Sequence, residues 1–248
     1  MESTINTSIE SPSLFRRFLR FTFKFIKWFL IVSVVTTILF RFIPVPITPF
    51  IINNFFVQLI DGNRDIRLEK DWESSSNISE TMKMAVVCSE DQSFFQHFGF
   101  DFDAIKAAFK NNEKGRRVKG GSTISQQTAK NVYLLPHRNY FRKALEAYFT
   151  LLIEVLWSKD RILEVYLNVI EFGNGIYGVE AASQHYFKKP ASKLNSDEAA
   201  LLAAVLPNPI LYRADKPSRY ILRRKNWIKR QMGHYGSIDV IKGLEEGK

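Results

Sequence analysis

Two carboxylates and a cluster of hydroxyls, amides and cations are the groups in this chain best placed to do chemistry. SEDQSFFQHFG, residues 89–99, sets Glu90 and Asp91 side by side after the apolar run Met84–Cys88 and before Phe94 and Phe95. A carboxylate against an apolar wall loses solvation, which suits it to general-base work. The plainer account is a solvated acidic pair at a helix end, with His97 as a cap. Downstream, GGSTISQQTAKN (Gly120–Asn131) reads as the opening of a helix with more polar groups than burial needs. On that helix Thr123 and Gln127 are four apart, as are Gln126 and Lys130, and together they make a polar face. Ile124, Thr128, Val132 and Leu135 fall on the other side, toward a core. The first amides of the helix, with the Ser122 and Thr123 hydroxyls, form a cradle for phosphate or diphosphate, and Lys130 adds a cation one or two turns on. A surface helix with an ordinary Ser N-cap would use fewer such groups.

Two further stretches carry charge in suggestive places. RKALE puts Arg142 and Glu146 at i and i+4, which is either a surface ion pair of little consequence or an acid held in the greasy setting of Ala144, Leu145, Ala147, Tyr148 and Phe149. The basic loop KNNEKGRRVKGG is bounded by glycines. It reads as a mobile lid over phosphate (residues 113–119), as a solvated charge run, or as a surface for anionic lipid headgroups.

The elements that must position these groups are mostly helical. Helical periodicity dominates from Ser79 onward, with helices expected at Asp103–Lys110, from about Ser122, at Tyr140–Trp157 and at Val179–Phe187. Apolar Leu145, Tyr148, Leu152 and Leu156 fall at helical spacing along the Tyr140–Trp157 helix. Ser158 caps KDRILEVYLNVI, a helix apolar almost all round except for the stripe Arg161, Glu164 and Asn168. FGNGIYG breaks it, and Asn195/Ser196 cap DEAALLAAVL until Pro207 and Pro209 end it. Strand signals are few, so the fold class is mainly α.

At 248 residues, 46% hydrophobic and 24% charged, the chain is globular, long enough for one sizeable domain and an appendage. The net charge of +10 favours an anionic partner. Residues 1–41 hold six Lys/Arg against two acids, so the excess is not confined to the tail. A single cysteine, Cys88, excludes a disulfide framework, and the four histidines show no metal-ligand spacing.

FTFKFIKWFLIVSVVTTILFRFI, Phe21–Ile43, has its only charges, Lys24, Lys27 and Arg41, near its ends, where their stems can snorkel. It reads as a transmembrane anchor rather than a cleaved signal, because the first alanine of the chain is Ala85. The cations Arg16, Arg17, Arg20, Lys24 and Lys27 precede it, which predicts the N-terminus inside and the bulk of the chain on the extracytoplasmic face. The prolines of PVPITP then stop any helix and enforce an extended exit segment. The expected organisation is a cytoplasmic tail at 1–20, an anchor at 21–43, a membrane-proximal apolar segment at 44–75 and a catalytic domain at 76–248.

In order, EDQSFFQHFG, GGSTISQQTAKN, RKALE, KDRILEVYLNVIEFGNGIYGVEAA and DEAALLAAVLPNP resemble the family 51 glycosyltransferases, the peptidoglycan polymerases, over roughly Pro44–Tyr235. Each block alone is weak, and five in order are specific. No S-x-x-K or K-T-G occurs, so the likeness is to the monofunctional members rather than to those with a transpeptidase domain. Ser125, where threonine is common, and Cys88, in place of a small residue, are modest departures.

The resemblance implies a lysozyme-like helical fold behind the anchor. Its substrate would be lipid II, a disaccharide-peptide on a polyprenyl diphosphate, and its product a β-1,4 glycan made with inversion. It implies that Glu90 is the base and that Glu146 assists diphosphate departure with cationic groups or a divalent metal. It names Ser122, Thr123, Gln126, Gln127, Lys130, Asn131, Arg138 and Arg142 as substrate-binding candidates, with Asp91 and Phe94 completing the first block and positioning Glu90. No cofactor is demanded, and a divalent cation (Mg or Mn) is allowed, with Glu146 as its candidate ligand. The implied partners are lipid II, the nascent strand, membrane lipid and proteins of cell-wall synthesis or division, but not nucleic acid. A lysozyme-type hydrolase would leave the second glutamate and the diphosphate cradle unexplained. A degenerate scaffold protein would not keep both glutamates.

Overall fold

The computed structural model describes residues 14–62, 65–113, 121–137 and 139–243. The chain divides into two compact units, one ending at Phe42 and the other beginning at Ile43. The first is the helix α1 (Leu14–Phe42), 29 residues long. It starts earlier than the expected Phe21, taking in three cations before the apolar core. At 1.5 Å per residue it measures about 44 Å, more than the roughly 30 Å of a bilayer's hydrocarbon. It is apolar enough to cross a membrane, and its large side chains, among them Phe21, Phe25, Trp28 and Leu39, face outward rather than into a core. The Thr22 and Thr36 hydroxyls donate to carbonyls of their own helix, at Phe18 (3.0 Å) and Val32 (2.8 Å), so neither enters hydrocarbon without a partner.

The second unit begins with Pro44–Thr48 in non-helical conformation and enters α2 (Pro49–Asp61). Pro44 and Pro46 lie in the non-helical exit expected of them, and only Pro49 departs from it. Pro49 is the first helical residue, where its missing N–H costs nothing, and Thr48 caps the turn by accepting from Ile51 N. The short strand β1 (Glu69–Lys70) follows. Then come α3 (Glu80–Glu90), α4 (Phe102–Glu113), α5 (Ile124–Tyr133), α6 (Tyr140–Leu156) and α7 (Lys159–Val169). A hairpin of β2 (Glu171–Gly173) and β3 (Ile176–Tyr177) leads to α8 (Val179–Phe187), α9 (Ser196–Val205), α10 (Arg219–Tyr235) and α11 (Ile238–Gly243).

FGNGIYG thus does more than break α7: β3 pairs antiparallel with β2 and parallel with β1. Gly175 stands at φ +70°, and a Cβ there would lie 2.0 Å from the Arg67 carbonyl oxygen, so only glycine admits that approach.

The core forms in two bodies of packing. The alanine-rich α9 lies against α3 and α10, its Ala199, Ala200, Ala203 and Ala204 fully buried and small enough to let both partners come close. Cys88 of α3 is buried here, and desolvation pushes its thiol up to about 12, so it is an inert packing group. The second body places α5 against α2, α6 and α7. The caps expected from sequence at Ser158 and Asn195 are in place, the latter as a full capping box with Glu198.

The polar stripe of α7 ties down the segment before α3. Asn168, fully buried, accepts from Glu73 N (2.8 Å) and donates to Glu73 O (2.8 Å), completing the segment's backbone as a strand would. Glu164 accepts from Ser75 N, and Arg161 donates to Ile43 O while lying 5.3 Å from the Trp72 ring.

Replacing Asn168 with alanine removes the partner of both backbone groups of the half-buried Glu73. The expected loss is about 2–3 kcal/mol, read as a lowered Tm; an unchanged Tm would show that the segment is held by other contacts.

Candidate active site

The site is assembled by one carboxylate reaching across to the start of a helix. Asp91, which ends α3, is buried and accepts from the first amide of α5, Ile124 N, at 2.9 Å. His97 Nε2 lies 3.0 and 3.1 Å from its two oxygens. Beside this contact Thr123 Oγ1 donates to Gly99 O (2.7 Å). Gly99, at φ +76°, passes so near α6 that a Cβ would meet Thr150 Cγ2 at 2.8 Å. A buried ion pair completes the frame: Glu154 takes hydrogen bonds from Ser125 Oγ and Lys159 Nζ. The same Lys159 donates to His97 O at 2.6 Å and stands 4.6 Å from the centre of the Phe94 ring. The loop 91–99, α5, α6 and the start of α7 are thereby locked together.

At the start of α5, where the sequence suggests an anion cradle, the structure places the protein's own Asp91 carboxylate. Thr123, not Ser122, is the N-cap. Its hydroxyl accepts from Gln126 N, and Gln126 Oε1 accepts from Thr123 N, a complete capping box. The negative partner of this helix start is Asp91, which answers both the free amide and the helix dipole. Thr123, Gln126, Asn131, Asp91 and Phe94 are all buried, with Asn131 Nδ2 bonded to Gln127 O. In this structure their visible work is positional.

What remains available is a cavity of about 320 Å³ further along α5, lined by Ser122, Gln126, Gln127 and Lys130, by Arg142, Lys143 and Glu146 of α6, and by Phe50, Pro136 and His137. Glu146 is 3% exposed, and both of its oxygens are occupied, by Arg142 Nη1 (2.6 Å) and by Lys143 Nζ. The Arg142–Glu146 pair is therefore not a loose surface contact. Burial lowers the Lys130 ammonium below its usual pKa of 10.5; Glu146 pulls it back up, Arg142 and Lys143 push it down, and Glu90 raises it. A partly desolvated cation beside two others is short of negative charge, and a diphosphate would supply it.

Glu90 sits at the other end of the polar face. Oε2 accepts from Gln127 Nε2 (3.2 Å), and Oε1 accepts from Ser89 Oγ (2.9 Å) and Arg224 Nη2 (3.1 Å). The apolar wall inferred from Met84–Cys88 is real on the core side of α3, but the carboxylate itself is held by donors. Tyr166 donates to Gln127 Oε1 at 3.2 Å, turning the amide so that its NH2 faces Glu90. Burial and the nearby Glu90 and Asp91 charges push the Tyr166 phenol well above 10, keeping it a donor. Gln127 thus links the two ends of the site. Arg138 and most of the basic loop (residues 114–120) lie outside the described residues.

A transglycosylase family model matches residues 60–233, and the chain belongs to that family. Three relatives carry the name biosynthetic peptidoglycan transglycosylase. The one from Pasteurella multocida is 50% identical, covering 90% of this chain and 91% of its own. That from Haemophilus influenzae is 51% identical over 81% of this chain and 82% of its own. That from Pseudomonas syringae pv. syringae is 46% identical over 93% and 97%. The mainly α, lysozyme-like fold expected from the sequence stands.

The donor set fits no resident divalent cation. Glu146 is the one carboxylate lining the cavity, its oxygens are held by cations, and among the described residues no group of three His, Cys, Asp or Glu could hold a metal. Sequence reading missed Arg224, Ser89, Tyr166, Lys143 and Phe50. The tyrosine and Lys143 lay inside quoted blocks. Arg224 lies on α10, outside every quoted block.

Removing the Arg224 guanidinium leaves Glu90 without its ionic partner. Arg224→Gln is expected to lower turnover about 10- to 100-fold at unchanged fold, with Arg224→Lys recovering part of it; equal turnover in all three proteins would make Arg224 structural only.

Proposed function

We propose that this chain, a peptidoglycan glycosyltransferase of cell-wall synthesis, transfers the growing glycan from its polyprenyl diphosphate to the 4-hydroxyl of lipid II. The observation that carries this reading is the pairing of two carboxylates in opposite settings along one helix face. Glu90 is held by neutral and cationic donors at one end. Glu146 lies in a pocket of cations at the other.

In this scheme the acceptor oxygen attacks C1 of the terminal sugar from the face opposite the α-linked diphosphate. The C1–O bond to the diphosphate breaks, a β-1,4 bond forms with inversion, and the hydroxyl proton passes to Glu90. Gln127, Ser89 and Arg224 hold the carboxylate for that proton. Lys130, Arg142 and Lys143 meet the charge that grows on the departing diphosphate, where preorganised cations lower the barrier most. Glu146 fixes the directions of Arg142 and Lys143. No step passes through a metal.

The catalytic domain, read as residues 76–248, then works on the extracytoplasmic face, with α1 as a single anchor and its N-terminus inside. That arrangement keeps the enzyme where a lipid-linked sugar is available.

Purified full-length chain is expected to polymerise lipid II. Glu90→Gln should keep its fold and lose roughly 10²- to 10⁴-fold in turnover, and a normal polymer yield would remove Glu90 as the base. Lys130→Ala should lower kcat/KM by about 10²-fold; unchanged kinetics would take it out of the donor site. Release of soluble fragments from preformed glycan would support a hydrolase instead.

A further inference from the structure

One wall of the cavity has no use in diphosphate chemistry. Phe50, the second residue of α2, lines the same space as Lys130, Arg142 and Lys143, with its ring centre 5.6 Å from Lys130 Nζ. It lies outside the family-matched residues 60–233. Its position is fixed rather than incidental. Thr48 caps the helix, Ile51 beside it is fully buried, Asn54 Nδ2 donates to Glu171 Oε2 (3.3 Å), and Gln58 Oε1 accepts from Arg67 N (2.8 Å). Pro136 adds a second apolar surface to the lining.

A pocket with three cations and a phenyl ring suits a ligand that is anionic at one end and hydrocarbon immediately beside it. Inorganic diphosphate offers nothing to the ring. A prenyl diphosphate places its first allylic carbons next to the phosphates, within the reach of a side chain that already borders Lys130. The same segment exposes Ile47, Ile52 and Phe56, further apolar surface for a chain leaving the cavity.

We propose that Phe50 is a specificity-determining residue that seats the first isoprenoid carbons of the lipid diphosphate, so that the site prefers prenyl diphosphates over diphosphate without hydrocarbon. This rests on the reading of the cavity as a lipid-diphosphate donor site.

The test compares farnesyl diphosphate with inorganic pyrophosphate as inhibitors of lipid II polymerisation by the full-length chain, and as ligands raising its Tm. Phe50→Ala is expected to weaken farnesyl diphosphate roughly tenfold and leave pyrophosphate within about twofold, while Phe50→Leu keeps most of the preference. If both ligands weaken alike, or neither does, the ring seats no hydrocarbon and the proposal falls. If the unmodified chain makes no polymer, the donor-site reading itself fails. Polymer formation with an unaltered ligand ratio in Phe50→Ala would sink the Phe50 assignment alone.

Discussion

The hydrogen bond from Ile124 N to the Asp91 carboxylate is the contact on which the rest of the site depends. It joins the end of α3, which carries Glu90, to the beginning of α5, which carries Gln127 and Lys130. A helix start presents unpaired amides and a partial positive charge, so a buried acid there satisfies both at once. Because the protein's own carboxylate takes that place, the cations that line the cavity, Lys130, Arg142 and Lys143, stand apart from the helix start. His97, Lys159, Glu154 and Ser125 brace the same junction from the other side.

Charge is distributed unevenly over this frame. Glu154 and Lys159 answer one another in the interior. Buried pairs of this kind add little net stability, but losing one partner is costly, so they orient their surroundings firmly. The cavity, by contrast, has three cations facing one carboxylate, and Lys130 bears a desolvation cost that only more negative charge would relieve. Glu90 stands outside this cationic group with an arginine of its own. A carboxylate and a group of cations thus share one helix face without neutralising each other.

The segment between the anchor and α3 belongs to the folded unit. Val45 and Ile51 are buried, Lys70 donates to Val45 O at 3.1 Å, and Asn168 and Glu164 close its backbone. Phe50 of α2 lines the cavity while Val45 and Ile51 are buried, so the apolar residues of this segment serve both the core and the cavity wall.

Helix starts were legible in the sequence because capping is local: Ser158 and Asn195 bond to amides only three residues away, and the residue types suffice. The five ordered blocks likewise declared the family. Other features depended on distant partners. The buried face of α6 carries Glu146, Phe149, Thr150, Ile153 and Glu154, two acids among them. An apolar pattern cannot foresee acids buried by Arg142, Lys143, Ser125 and Lys159. The helix α10 escaped notice because only Ile221, Ile228 and Met232 of its seventeen residues are buried. Residue types and spacing by themselves determined the helical class, the family and an N-terminal helix apolar enough to cross a membrane. Tertiary structure alone decided that Asp91 would occupy the start of α5, that Arg224 would hold Glu90 and that Phe50 would border Lys130, since each is a contact between elements far apart in the chain.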